Sequence, residues 1–391
     1  MMGLIKNEFK KLLLRKKILI SSIVFGILCA LMCLIMGIWS TYYTKKNQIE
    51  LQQSLIKSYE EDLEKAETED DKKAIQANLD EAKTYLQVIE NMPSEDDHNW
   101  KNNVQTSINN LQEEFNTLPD NSGEKETIRK KILVYEELLN KDIKPMADSS
   151  AKGFKMLQYL IAALGSLFTA IIVIIISSDA VSSECTPPTL KMLLTRPVKR
   201  GKVLASKFIA AFISSCIVII GLEIIASIVM GLIFGFGDPL YPIAVGTDYK
   251  ITTLNAIVGK EAIAVFNSSY LTSTIVFLLK SILLQLLFIL AATSFFLMIS
   301  TLVKSSSASI SISIVSLIAI QILSVISNVK PILPFLFMTY GNTTSILTGE
   351  VKYSTLSSLP SPAFAIIILL GWTMIPYIIA HLNFTKKDIL V

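Results

Sequence analysis

Two ionisable residues stand inside runs that are otherwise apolar: Glu223, within 204–234, and Lys280, within 271–300. A charge in such a run is costly, so it needs a partner or a route to water. If the two runs cross a membrane in opposite senses, Glu223 lies about 16 Å below the outer end and Lys280 about 13 Å, at 1.5 Å per residue. The two could then meet as an intramembrane ion pair; otherwise Lys280 snorkels outward along its own stem. Coupling of a proton or ion through the pair is a further use of the same residues. Gln285, in the run that holds Lys280, suits an interhelical hydrogen bond.

Other chemistry finds few residues. His98 is isolated among acids, and His381 lies far from it in sequence and on the other side of the expected membrane. That excludes a histidine-rich metal centre and leaves no Ser–His–acid constellation. Cys29 and Cys33 sit one helical turn apart in an apolar run and read as packing residues. Cys185 and Cys216 also lie in or beside apolar runs, so no disulfide framework is indicated. No G-x-x-x-x-G-K-[ST] loop occurs, and the glycines of GLIFGFGD (231–238) lack the lysine that such a loop needs. The sequence assigns this chain no catalytic residue, no metal site and no cofactor of its own.

What remains is a short basic stretch, TLKMLLTRPVKRGK (189–202), between long apolar runs. Pro187 and Pro188 can open a helix. Thr189 to Thr195 then forms a short helix with Leu190, Leu193 and Leu194 as its apolar face, and Pro197 ends it. A short amphipathic helix between two spans is a docking element: it fits a groove in a soluble partner and passes motion to the spans.

These residues need a frame. The chain has 391 residues, 51% of them hydrophobic, and a mean hydropathy of +0.50. Apolar runs of 18 residues or more mark bilayer spans. Six are read, at 18–40, 156–178, 204–234, 271–300, 308–327 and 362–382. The first is too long for a signal peptide and is kept as a span. Short basic segments set the orientation. Six cations fall in 1–17 and six more in 182–207 (Lys191, Arg196, Lys199, Arg200, Lys202 and Lys207), with Lys304, Lys386 and Lys387 beyond. Six spans put all of these on one side, the cytoplasm, with both termini. The start, 1–17, is expected as an amphipathic helix in the headgroup layer, with Ile5, Phe9, Leu12 and Lys16 on one stripe.

The segment 42–155 falls outside. Residues 45–155 hold 16 Lys/Arg against 24 Asp/Glu, while the remainder holds 20 against 9. The basic excess therefore belongs to the membrane part, and nucleic acid is not an expected partner. Ile49, Ile56 and Leu63 repeat every seven residues, and Ile75, Leu79, Ala82, Leu86 and Ile89 alternate fours and threes. Trp100, Val104 and Ile108, then Ile128, Ile132, Tyr135 and Leu139, continue the pattern. These narrow seams predict a coiled-coil-like helical hairpin or small bundle. Thr68 to Asp71 is a weak break in this run; unbroken from 45 to 91, the first helix would be on the order of 70 Å long. The loops near 235–270 and 328–361 are also expected outside. The fold class is all-α: a polytopic membrane protein with six transmembrane helices and an extracellular helical domain.

The basic stretch and its flanks resemble the permease subunits of ATP-binding-cassette transporters of the type-2 exporter class. Those carry an acid, a Gly-Thr, a Leu-Leu and a Pro-x-x-Arg before the third span. Glu184, Thr189, Leu193, Leu194, Pro197 and Arg200 match, with Pro188 where the family usually has glycine. The ending NFTKKDIL (383–390) is similar too. The resemblance implies a six-span half-transporter that dimerises, with itself or a homologous permease, amid membrane lipids. It implies separate cytoplasmic ABC ATPase subunits that bind ATP and Mg. The loop 182–203 would be the coupling helix, with Glu184, Thr189, Leu190, Leu193, Leu194, Arg196, Pro197, Lys199 and Arg200 as coupling residues. It also implies short helices in 330–347 that re-enter the outer leaflet. Lysine outnumbers arginine 32 to 4, which suits an AT-rich bacterial genome and hence a bacterial plasma membrane. The large insert is similar to that of permeases linked to sodium export or peptide-antibiotic resistance. The expected role is export of a hydrophobic or amphipathic substrate. A non-transporting sensor or scaffold, binding an envelope ligand through the insert, is the competing expectation.

Overall fold

The computed structural model describes residues 1–66, 68–94, 98–119, 122–184, 199–255 and 259–386. The chain opens with α1 (Met2–Leu14) and α2 (Lys17–Tyr42). Lys16 between them takes a left-handed backbone, φ 55°, which separates the amphipathic first helix from the apolar second. Trp39, Tyr42 and Tyr43 close the far end of α2 with edge-on ring contacts of 5.8 and 5.3 Å. Aromatic residues favour such a position at a membrane boundary.

The insert is four helices in two antiparallel pairs, α3 (Lys45–Lys65) with α4 (Glu69–Asn91) and α5 (Trp100–Thr117) with α6 (Gly123–Asn140). A single helix of about 70 Å does not form. The chain turns back between α3 and α4, where Thr68 caps α4 by accepting from the Asp71 amide at 3.1 Å. Glu69, Asp70 and Asp71 then fill the first turn, a favourable place for negative charge. Ile56 packs against Leu79 and Ala82, with Tyr59, Leu63 and Leu86 around them. Trp100, Val104 and Ile108 pack against Ile132, Tyr135 and Leu139. These are the expected seams.

Among the described residues, six helices are long and apolar enough to cross a membrane. Five of them begin and end within a few residues of the runs read from sequence; the second, Leu167–Glu184, begins well after 156. The run read at 156–178 is in two pieces: α7 (Gly153–Leu164), a shorter apolar helix, and α8 (Leu167–Ser177), which continues through a turn to Glu184 as the second span. At the break, a Cβ on Gly165 would stand 2.4 Å from the carbonyl oxygen of Gly341, so two backbones touch there. Thr169 Oγ1 donates to the Leu164 carbonyl at 3.0 Å, which replaces a helical bond lost at the break. The third span is α9 (Arg200–Phe234), the fourth α10 (Thr274–Leu302), the fifth α11 (Ser306–Val325) and the sixth α14 (Pro362–Lys386). Helix α10 runs through the core and buries Phe277, Leu284, Phe288 and Phe296. Its small residues Ala291 to Ser294 let α14 approach, and Ser294 Oγ donates to the Thr373 carbonyl at 2.6 Å.

Segment 326–355 makes short helices, as expected. Two 3-10 stretches (Ser327–Phe335, Phe337–Tyr340) lead into α12 (Thr343–Thr348) and α13 (Glu350–Thr355). Phe337, Met338, Tyr340, Ile346 and Leu347 are buried in the bundle. The loop expected near 235–270 is not irregular. It forms two antiparallel ribbons, β1 (Pro242–Val245) with β4 (Tyr270–Ser273) and β2 (Tyr249–Asn255) with β3 (Gly259–Ala264). The β-branched alternation of YKITT within β2 is the signal for it.

These segments are clasped together by Glu126 on α6, which is fully buried. Its carboxylate accepts from the Asn267 and Ser269 amides at 2.7 and 2.9 Å. Arg129 grips both oxygens, Nε at 2.9 Å and Nη2 at 3.2 Å, and also donates to the Ser269 carbonyl at 2.7 Å. The Gly246 and Thr247 amides donate to Leu347 and Thr348, and Lys352 bonds Asp248 at 2.7 Å. The insert, the ribbons and α12–α13 thus form one cap. Burial alone would raise the Glu126 carboxyl; the Arg129 guanidinium and the two amide donors outweigh it and hold the group below the usual carboxylate range. The clasp is therefore complete above that range and is lost as pH falls through the depressed folded-state value. Glu126→Ala should cost about 3 kcal/mol, as for a buried pair with one partner removed. Hydrogen exchange at Asn267 and Ser269 should accelerate in the variant, and the acid dependence of that exchange should vanish. Unchanged exchange would remove the clasp from this account.

Candidate functional site

At the end of the bundle that carries α1, the chain leaves α8 through a 3-10 turn, Ser182–Glu184, and enters α9 at Arg200. Between them lies 185–198, outside the described residues. Both flanks are fixed. On the entry side, Glu8 and Lys11 of α1 meet Glu184 and Lys207. The Lys207 ammonium donates to Glu8 Oε2 at 3.0 Å and to Glu184 Oε1 at 2.7 Å. Lys11 donates to Glu8 Oε1 at 3.0 Å and to the same Glu184 oxygen at 2.8 Å. Two cations and two carboxylates alternate around a closed, neutral ring. The Lys207 and Glu184 side chains are 1% and 3% exposed, so water screens little of it. Burial alone would lower the Lys11 ammonium; its bonds to Glu184 and Glu8 raise it above the ordinary lysine value.

A second layer surrounds the ring. Lys17 pairs with Asp179, whose other oxygen accepts from Ser306 at 3.1 Å. Arg15 donates to Ser183 Oγ at 2.6 Å. The Val181 and Ser182 amides donate to Ser300 Oγ at 3.0 and 3.1 Å. The turn that ends at Glu184 is therefore stapled to α1, α2, α9, α10 and α11. On the exit side, Lys199 stands at the N-cap position of α9 without a side-chain capping bond and is exposed. Arg200 Nη1 donates to the Thr385 carbonyl of α14 at 3.3 Å. Gly201 faces His381: a Cβ there would lie 2.5 Å from the imidazole.

Of the residues read from sequence as coupling elements, Thr189, Leu190, Leu193, Leu194, Arg196 and Pro197 lie outside the described residues. Lys199 and Arg200 stand at the head of α9. Glu184 is not a docking surface, because its carboxylate is inside the ring; any part it plays passes through the turn it holds. The residues that sequence reasoning missed are Glu8, Lys11, Lys207 and Asp179. Lys11 and Lys207 were counted only as charges that set orientation. A signal existed: Glu8 is the lone acid in 1–17, and Asp179 and Glu184 are the lone acids between Lys155 and Glu223.

The expected ion pair between Glu223 and Lys280 is absent. Glu223 is fully buried and accepts from Gln285 Nε2 at 3.0 Å, while Lys280 is exposed. Helical phase gives the reason: Lys280 and Gln285 are five residues apart, roughly 140° around the axis, so only one of them can face α9. Gln285 takes the interhelical role expected of it. Beside α9, an apolar groove of about 860 Å³ runs along α2, lined by Gly26, Cys33, Gly37, Ala226, Val229 and Met230 among others. Among the described residues, no group of three His, Cys, Asp or Glu could hold a metal ion.

The chain matches the model of the ABC-2 family transporter proteins over residues 2–389, and it belongs to that family. It is thus a multi-pass membrane protein and a permease of an ABC system. No curated protein matches it.

The ring makes a quantitative expectation. Lys207→Met leaves two buried carboxylates with one half-exposed cation, a loss of about 3–5 kcal/mol for an uncompensated buried charge. Thermal unfolding in detergent should fall accordingly, and protease should cut α1 faster. Lys6→Met, which removes an exposed cation of the same helix, should change neither. Equal effects from the two substitutions would mean that only net charge matters.

Proposed function

We propose that this chain is the permease subunit of an ATP-driven exporter in a bacterial plasma membrane, with both termini in the cytoplasm. ATP and Mg bind to separate ABC ATPase subunits, which dock on segment 185–198. A second copy or a homologous permease completes the transporter. The observation that carries this reading is the pair of rigid mounts on either side of the segment. The ring at Glu184 joins its entry to α1 and α9, and Arg200 joins its exit to α14. A partner that docks between these two mounts acts on the ends of several spans together. The excess of Lys and Arg at this end supports its cytoplasmic placement. The apolar groove beside α2 and α9 supports a hydrophobic or amphipathic substrate, such as a peptide antibiotic or a lipid.

A second reading makes the chain a sensor or scaffold whose insert binds an envelope ligand. Leu51 and Leu55 on α3, Tyr85 and Val88 on α4, and Met92 just beyond it remain exposed, and an apolar surface of this kind favours binding by the insert. The two readings part at the loop. The full chain, isolated in mild detergent from its native host, should bring down an ABC ATPase. The double variant Arg196→Glu, Lys199→Glu should lose it while keeping the wild-type unfolding temperature. Absence of any ATPase from both preparations would overturn the transporter reading and leave the insert as the working part.

A further inference from the structure

The contact between Glu223 and Gln285 has no part in the coupling just described. Each residue stands 11 positions from the end of its helix, Glu223 before Phe234 and Gln285 after Thr274. At 1.5 Å per residue the pair lies ~16 Å from the cap end of the bundle. Both side chains are fully buried. One edge of the contact is made: Gln285 Nε2 donates to Glu223 Oε1 at 3.0 Å. The other is not. Glu223 Oε2 and Gln285 Oε1 are both buried with no hydrogen-bond partner. Ser281, one turn before Gln285, is buried as well.

The surroundings offer Glu223 no counter-charge. From α2 the titratable side chain that faces it is the Cys29 thiol. Helix α10 presents Gln285, with Lys280 on its far side. Helix α8 carries no ionisable residue. On α7, Lys155 and Tyr159 are both engaged by Asp148. Among the described residues Glu223 forms no ion pair. An ionised carboxylate here would leave one oxyanion without a donor in a low-dielectric interior, which costs several kcal/mol.

One proton removes the difficulty. A carboxylic acid and a primary amide are both planar, and each can offer a donor and an acceptor along one edge. The amide already donates to Oε1. A hydrogen on Oε2 supplies the donor that Gln285 Oε1 lacks. We propose that Glu223 is a proton-binding site: its protonated carboxyl and the Gln285 amide close a cyclic, two-bond pair between the third and fourth spans. A single hydrogen thereby accounts for both orphan oxygens, which pairing with Lys280 would not. The proton comes from water when α9 and α10 come together. When they part, water reaches a free carboxyl that ionises in the ordinary carboxylate range at neutral pH, and the proton returns to it. Closing this seam takes up a proton and opening it releases one.

The test uses the full chain in lipid nanodiscs and does not depend on transport or on an ATPase. Infrared spectra at neutral pH should show the carbonyl band of a protonated carboxyl in wild type, and Glu223→Gln should lack it. Gln285→Leu keeps the carboxyl but removes its amide, so the band should remain and shift to higher frequency. Glu223→Gln can form the same two bonds with Gln285. It should unfold above the wild-type temperature at neutral pH, because wild type must take up a proton on closing, and hold that temperature as pH rises, while wild type loses further stability. No protonated-carboxyl band in wild type would overturn the proposal, whether or not the variant folds. If the band is absent and sodium or potassium chloride stabilises wild type but not Glu223→Gln, the orphan oxygens hold a cation instead. A band unmoved by Gln285→Leu would overturn the cyclic pairing.

Discussion

Lys207 carries a full charge at a place that is almost dry, and much of the α1 end is arranged around that fact. A buried ammonium without partners would be prohibitively costly. Here it has two carboxylates from two different elements, Glu8 on α1 and Glu184 at the end of α8. Those carboxylates in turn require Lys11, and the ring closes only if α1 lies against the head of α9. The arrangement gains little net stability over an apolar equivalent, but it tolerates few alternatives. A shift of α1 by one residue would rotate Glu8 by 100° and open the ring. The energy therefore goes into specifying position.

The cap end uses the same device with different parts. Glu126 is buried, but its partners are an arginine fork and two backbone amides rather than a second acid–lysine pair. The ring fixes helices to helices; the clasp fixes a helix to a loop. Between them the bundle is held by apolar contact along α10 and by sparse polar bonds such as Ser294 to Thr373.

The sequence made the spans legible because length and hydropathy alone decide whether a helix can cross a membrane. The seams of the insert were legible for a similar reason: seven-residue spacing leaves one face to bury. What escaped was information held in three dimensions. Glu223 needed a partner from α10, and depth pointed to Lys280, but helical phase selected Gln285. Lys11 and Lys207 looked like orientation signals because Lys and Arg at span ends usually are. Only the fold shows that they face inward. The break in the second span was hidden as well, since Gly165 in an apolar run reads as an ordinary helical glycine until Gly341 is placed against it. The ribbons were missed because the loop was judged by its position between two strong spans rather than by its own alternation.

The break at Gly165 has a mechanical meaning. Helix α8 has 11 residues and so is about 16 Å long. A continuous second span would act as one stiff rod and deliver any tilt at the Glu184 turn to the base of the insert. The broken one acts as a short crank. It ends at Ser166, whose hydroxyl donates to the Met338 carbonyl and whose backbone lies against Gly341, so the short helices between α11 and α14 abut the break.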